Sequence, residues 1–357
     1  MDKIKIFHLI TSLNIGGTEK NLLTVLKNLN HKYDFFVGYL KEKGQVAYEI
    51  EKFGIPVEKF SFFSLISHLK KNKYKIIHTH LYRANILGRL AGKIAGIPAV
   101  ISIQQSIDRW RKFYHIWLDK YTTRFCDLII ANSRAAKNVL IEEEKVSAEK
   151  IVVIYNGTSF NSEVVANRKS INEFVVGCVM RLHIEKGVYL IPEIAKIVKN
   201  YDTSNFSDKG KDIKFSIFGD GPERDNLKLQ ITNYKLQNEV RLFGWQNDLE
   251  KIYNSVYILL LPSIEESFPQ AVLDAMAFGI PVVATDVGGL SELVENNKTG
   301  ILIKNRTPEA FASAILSIIK DQRLYQYFSE NSRTKAAEFT IKKMVNLTDD
   351  IYQNLSK

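Results

Sequence analysis

Residues 257–294 read Tyr257-Ile-Leu-Leu-Leu-Pro-Ser-Ile-Glu-Glu-Ser-Phe-Pro-Gln-Ala-Val-Leu-Asp-Ala-Met-Ala-Phe-Gly-Ile-Pro-Val-Val-Ala-Thr-Asp-Val-Gly-Gly-Leu-Ser-Glu-Leu-Val294. Tyr257 to Leu261 is a short, wholly apolar run, as expected of a strand buried on both faces of a parallel sheet. Pro262 and Ser263 stop it. Glu266 to Phe278 has helical composition, and Gly279 stands at its exit as a C′ residue. Ile280 to Ala284 is a second buried strand, Gly288 and Gly289 a turn, and Leu290 to Val294 the start of another helix. Strand, helix, strand and glycine turn in this order are the grammar of a βαβ unit. Ligands of such sheets bind beyond the carboxyl ends of the strands. Glu266 and Asp274 flank a helix at that edge. Glu266 is expected at its N-terminus, beside backbone N–H groups that favour anions.

Working towards the N-terminus, strand–helix alternation continues. Strands are expected near Phe35–Tyr39, Ile76–Thr79, Ala99–Ile103, Leu128–Ala131, Ile151–Ile154, Phe174–Met180 and Ile213–Phe218, with helices near 18–28, 45–53, 82–95, 109–125 and 133–144. Repeated alternation argues doubly wound parallel sheets. At roughly 100–200 residues per domain, 357 residues predict two of them. Thr18 is the expected cap of the first helix and Ser133 of a later one. The polar stretch 161–172 is read as the linker, and helices over 308–320, 321–338 and 341–355 close the chain.

The 257–294 stretch resembles the E-x7-E signature of retaining GT-B glycosyltransferases, the glycogen-synthase-like group often called family 4. Here it reads Glu266…Asp274, followed by Ala275-Met-Ala-Phe-Gly-Ile-Pro-Val-Val-Ala-Thr. Asp stands where the family usually has Glu; it keeps the charge and is one methylene shorter. That position usually holds the donor ribose hydroxyls. Arg181-Leu-His-Ile-Glu-Lys186-Gly is similar to the family's R-x4-K-G, and Gly219-Asp-Gly-Pro to its G-x-G-P. Val240-Arg-Leu-Phe243-Gly244 resembles V-x-F-x-G, a loop whose backbone usually meets the nucleobase. Gly16-Gly17-Thr-Glu resembles the loop that faces donor phosphate and acceptor. Gln104 stands where many members carry His; it can hydrogen-bond but cannot shuttle protons, which makes His80 the candidate for contact with the donor sugar. Asn132, in Ala-Asn-Ser-Arg, also matches the family pattern.

The resemblance implies an α/β GT-B fold: two Rossmann-like doubly wound domains with an interdomain cleft. Residues 1–165 would bind the acceptor, with Gln104 and Asn132 on that side. Residues 166–340 would bind the nucleotide sugar, and 341–357 would form a helix packing back towards the first domain. The implied activity is retaining transfer of a sugar from a nucleoside diphosphate sugar, UDP-linked by expectation, to a glycan or lipid-linked acceptor of bacterial surface polysaccharide or glycolipid synthesis. Arg181, Lys186 and the N–H groups around Ser267, Phe268, Gly289 and Leu290 would take the leaving diphosphate's charge, Glu266 would steady the sugar, and His80 would assist.

The residues themselves add bounds. No Asp-x-Asp stands at a suitable strand end, so neither a metal nor a cofactor is expected. His78 and His80 share one face of a strand, but a metal needs further ligands and none lies near them in sequence. Cys126 and Cys178 are far apart and imply no disulfide framework. The N-terminus turns polar too quickly for a signal peptide, and no apolar run reaches ~18 residues. A cytoplasmic protein is expected, peripheral at the inner face of the membrane. Residues 1–168 carry 26 Lys and Arg against 15 Asp and Glu, +11, whereas 169–357 carry 23 against 24, −1. A one-sided basic domain suggests an anionic partner, nucleic acid or membrane. The basic residues form no recognised nucleic-acid module, so nucleic acid is not expected. Aromatic and basic residues interleave over 60–75 and 108–118. These segments read equally as membrane-surface segments or as amphipathic helices with aromatics in the core. The alternative enzyme class is a UDP-sugar 2-epimerase of the same fold.

Overall fold

The computed structural model describes residues 3–105, 111–160, 173–201 and 212–357. The proposed linker 161–172 and the head of the expected 109–125 helix lie outside them. The chain divides into two compact units, Met1–Gly157 with Ile341–Lys357, and Thr158–Thr340. Thr158 is tied to the second unit by its N–H on the Phe339 carbonyl and by a bridge to Thr340.

In the first unit the strands are β1 (Ile4–Ile10), β2 (Tyr33–Tyr39), β3 (Val57–Lys59), β4 (Ile76–His80), β5 (Ala99–Gln104), β6 (Leu128–Ala131) and β7 (Ile151–Val153). They form a parallel seven-stranded sheet in the order β3-β2-β1-β4-β5-β6-β7. Apolar clusters cover both faces of it. The helix Ile341–Leu355 belongs to this unit. It puts Met344, Val345 and Tyr352 into the cluster that holds Ile6 and Ile10 of β1, and Asp349 pairs with Lys32 and accepts from the Tyr33 hydroxyl at 2.6 Å.

In the second unit the strands are β8 (Phe174–Val179), β9 (Ile213–Phe218), β10 (Val240–Gly244), β11 (Ile258–Leu261), β12 (Val282–Thr285) and β13 (Gly300–Ile303). Their order is β10-β9-β8-β11-β12-β13, again parallel. Both sheets are doubly wound, and each reverses direction beside its first strand: at β1/β4 and at β8/β11. These are the switch points where loops part and a crevice opens at the carboxyl edge.

Most expected elements are present within a residue or two. Gly279 has φ +66°, and its N–H and that of Ile280 close on Met276 and Ala275 after the helix Gln270–Ala277, so the exit residue is a true αL terminator. Ser133 caps Arg134–Glu142 through Ala136 N–H at 3.0 Å. Three expectations need correction. The helix expected from Glu266 starts only at Gln270, because the residue before a proline is pushed out of helical geometry and Pro269 occupies the N-cap. Thr18 lies inside the helix Gly17–Leu29, whose N-cap is Gly16; no side chain caps it. The helix after Gly289 is one turn, Leu290–Leu293. The edge strand β3, three residues long, gave no apolar run to read.

The basic aromatic segments resolve differently from each other. In Phe62–Asn72, Leu65 and Leu69 are buried with Phe60 and Tyr74 beside them, so that helix turns one apolar side to the core, though Phe63 is exposed. The helix Phe113–Thr122 instead exposes Phe113, Tyr114, Trp117, Leu118 and Tyr121. Its inner side carries Asp119, which pairs with the buried Arg89 and, at 3.0 Å, with Arg111. Arg111 also meets Glu144 at 2.5 Å. Burial and the nearby Asp119 charge push the Glu144 carboxyl up to about 7 despite Arg111.

Candidate active site

The switch point of the second unit brings the loop after β8 against the loop after β11. Lys186, in the turn Ile184–Lys186, reaches across so that its Nζ lies 2.6 Å from Glu266 Oε1. Ser263 donates to the same oxygen at 2.8 Å. The backbone fastens the two loops further, Ile264 N–H donating to the Glu185 carbonyl at 2.8 Å, and from beyond β13 the Arg306 side chain donates to the Pro262 carbonyl at 3.4 Å. Gly187 has φ +65°, and a Cβ there would sit 2.0 Å from Pro262 O. Only glycine allows so close a crossing in that conformation. Glu266 is buried, Lys186 is half-buried, and Arg181 at the end of β8 is exposed, with no ion pair among the described residues.

The G-x-G-P loop lies directly on this one. Gly219, φ +134°, has no room for a Cβ, which would fall 1.9 Å from Met180 O; its N–H donates to the Gly244 carbonyl at 2.8 Å. The side chain of Phe243 is 43 % exposed and stacks on Phe218, centroids 4.9 Å apart and planes 15° from parallel. Arg181, Lys186, Glu266, Gly219, Phe243 and Gly244 therefore all belong to the carboxyl edge of one sheet.

Other expected donor contacts are placed differently. The N–H of Gly289 donates to the Glu266 carbonyl at 3.1 Å, and that of Leu290 to the Val287 carbonyl at 3.2 Å. The first holds the Glu266 loop and the second closes its own turn, so both N–H groups have backbone partners here. Ser267 and Phe268 are buried beside them. Asp274 is buried in the helix Gln270–Ala277, where Oδ1 accepts from Thr158 Oγ1 at 2.7 Å and from Gln270 Nε2 at 2.9 Å. Ser263 is the member that the sequence reading missed; a serine directly after a strand-stopping proline carries no distinctive signal.

In the first unit Gly16 and Gly17 open the helix after β1. The Glu19 carboxylate folds onto Gly16, where a Cβ would lie 2.3 Å from Oε2, while Gly17 is open. Gln104 and Asn132 are buried at the adjoining ends of β5 and β6, joined by Asn132 N–H on the Gln104 carbonyl at 3.1 Å. His80 is buried at the end of β4, with Nε2 3.0 Å from His8 Nδ1. The pairing of β1 with β4 sets His8 opposite His78, so the two histidines of the His78-Thr-His80 pattern have a third partner after all. His78 Nδ1 lies 2.7 Å from the Tyr352 hydroxyl. Burial holds all three imidazoles neutral, His78 down to about 3, with the neighbouring rings adding to the effect on His8 and His80.

With this geometry in place, the relatives define the class. The family descriptions "Glycosyltransferase Family 4" and "Glycosyl transferases group 1" match residues 16–161 and 166–335, one in each unit. Fold and family matches, which together span most of the chain, support a GT-B glycosyltransferase like those of family 4. It is similar, 29 % identical over 98 % of its length and 97 % of the relative's, to the UDP-Gal:alpha-D-GlcNAc-diphosphoundecaprenol alpha-1,3-galactosyltransferase of Escherichia coli. It is also similar to the capsular polysaccharide biosynthesis glycosyltransferase CapM of Staphylococcus aureus, 24 % identical over 94 % of this chain and 93 % of that one. Among solved structures, Anabaena Alr3699/HepE, determined in complex with UDP, has the same fold: TM-score 0.85, 23 % identity, 98 % of this chain and 100 % of that one.

Proposed function

We propose that the chain is a retaining, metal-independent glycosyltransferase. It moves a hexose from a UDP-sugar to a glycan or lipid-linked acceptor in bacterial surface polysaccharide or glycolipid synthesis. The observation that carries this is the junction of Lys186, Glu266 and Ser263 at the β8/β11 switch point. An ammonium has three donors. Lys186 commits one to Glu266 and has two left for a diphosphate, and the exposed Arg181 adds a planar fork for the same oxygens. These cations do the work that a metal does elsewhere: they stabilise charge as it develops on the leaving group. Glu266 Oε1 already accepts two hydrogen bonds, so its role is to bind donor hydroxyls rather than to attack carbon. The nucleobase stacks on Phe243. Asp274, shortened and engaged by Thr158, positions its helix rather than touching ribose. His80, buried among imidazoles, is left out of the transfer step.

The activity is tested by a donor screen read as protection from thermal unfolding, since a ligand of the native state raises its apparent stability. A UDP-sugar is expected to raise Tm in a saturable way and to be consumed only with an acceptor. Epimerised sugar formed from donor alone would move the chain to the 2-epimerase class, and protection by no nucleotide would remove the proposal.

We further propose peripheral contact with an anionic membrane through the helix Phe113–Thr122. Exposed Phe113, Trp117 and Tyr121 recur every fourth residue, Trp117 and Tyr121 are stacked, and Lys112, Lys120 and Arg124 flank them. Rings of this kind settle at the interface while cations meet lipid phosphates. Burying one such ring is worth about 1.5–3 kcal/mol, so Trp117→Ser should weaken sedimentation with anionic vesicles by about tenfold or more. Equal sedimentation of variant and wild type would place the contact elsewhere.

A further inference from the structure

The three imidazoles of the first unit form a site that glycosyl transfer does not use. His8 on β1 and His78 and His80 on β4 are all at least 97 % buried. Each offers one nitrogen within 4.8 Å of the other two. His78 Nε2 and His80 Nδ1 are buried with no hydrogen-bond partner among the described residues, and so is the amide nitrogen of Asn21. All three of these residues line one cavity of about 30 Å³ inside this unit, together with His8, Gln105 and Asn156. Leaving buried polar atoms unpaired costs free energy, and here several such atoms converge on one small space.

We propose that His8, His78 and His80 bind a divalent first-row transition metal of the zinc class, with solvent in the cavity completing the coordination. Imidazole nitrogen suits such ions, and a neutral ring is the form that ligates. Burial keeps these rings neutral well below pH 7. At ~2.1 Å from a tetrahedral ion, ligand nitrogens stand about 3.4 Å apart. The His8–His80 pair is at 3.0 Å and no pair exceeds 4.8 Å, so the widest separation need close by at most about 1.4 Å. The Tyr352 hydroxyl, 2.7 Å from His78 Nδ1, is the orienting partner that metal-bound histidines have. The ion would join β1 to β4 and, through Tyr352, to the helix Ile341–Leu355. Its role is to hold this unit together; it takes no part in the transfer, whose cations are Arg181 and Lys186 in the other unit.

The test uses untagged, chelator-treated full-length chain titrated with Co²⁺ and then Zn²⁺. One equivalent of Co²⁺ should bind with a visible tetrahedral band that Zn²⁺ abolishes, and Tm should rise to a plateau at that stoichiometry. His8→Gln/His80→Gln should lose band and plateau, while His31→Gln, at an exposed histidine, keeps both. Tyr352→Phe retains every ligand and serves if the double variant does not fold; it should bind about 10- to 100-fold more weakly. No metal uptake by the wild type would leave the cavity to water. Uptake that survives in the double variant, or an affinity indifferent to Tyr352→Phe, would equally overturn the assignment.

Discussion

Glu266→Ala should lower the rate of sugar transfer by about 10²–10³-fold, the loss seen when one preorganised electrostatic contact is removed from a transition state, with the fold intact. Glu266 is buried at the junction of two loops, and Lys186 and Ser263 both spend hydrogen bonds to aim it. Fixing a carboxylate in this way makes sense if it must meet hydroxyls in one geometry. The fold should survive because no strand depends on this side chain: the loop is also tied by its own backbone, through Gly289 N–H on the Glu266 carbonyl and Ile264 N–H on Glu185. Ser263→Ala should act in the same direction and more weakly, since Lys186 still orients the carboxylate. The assay is UDP release with acceptor present, beside circular dichroism for the fold. Turnover of Glu266→Ala within about threefold of wild type would remove the residue from the mechanism.

Asp119→Ala should destabilise the first unit by about 3–5 kcal/mol, the cost of leaving a buried charge without its partner. Arg89 and Arg111 are both buried and share the two carboxylates Asp119 and Glu144. Without Asp119, Glu144 remains on Arg111, and among the described residues Arg89 keeps only hydroxyl partners, Ser102 at 2.8 Å and Thr122 at 3.3 Å. Replacing both partners, Arg89→Met with Asp119→Leu, should recover a good part of the loss, because an apolar pair leaves no stranded charge. The network also fixes which side of the helix Phe113–Thr122 faces inward, so vesicle binding should fall with stability in the single variant. Urea unfolding measures both variants; a loss under about 1 kcal/mol for Asp119→Ala would mean that water reaches Arg89.

Much of this architecture was legible in local sequence. Short apolar runs ended by Pro262-Ser263 or by glycine gave the strands, and Gly279 marked a helix exit because no other residue adopts its φ so cheaply. What was not legible depended on partners distant in the chain. Asp274 reads as a site carboxylate, but nothing local shows that Thr158, 116 residues away, donates to one of its oxygens. His78 and His80 read as an isolated pair until β1 lies beside β4 and delivers His8. Gly289 and Leu290 read as anion donors; that their N–H groups meet the Glu266 and Val287 carbonyls is visible only in the fold. Pro269 stands in the sequence, and its displacement of the helix start is deducible from it, although 266–278 has helical composition throughout.

The central claim is that the loops after β8 and β11 form a diphosphate site whose cation is Lys186. Calorimetric titration of UDP into wild-type chain and Lys186→Ala tests it most directly. A charge-assisted hydrogen bond is worth about 1.5–3 kcal/mol, so the variant should bind UDP about 10- to 100-fold more weakly, and Arg181→Ala should weaken it in the same direction. UDP affinity of Lys186→Ala within about twofold of wild type would contradict the account.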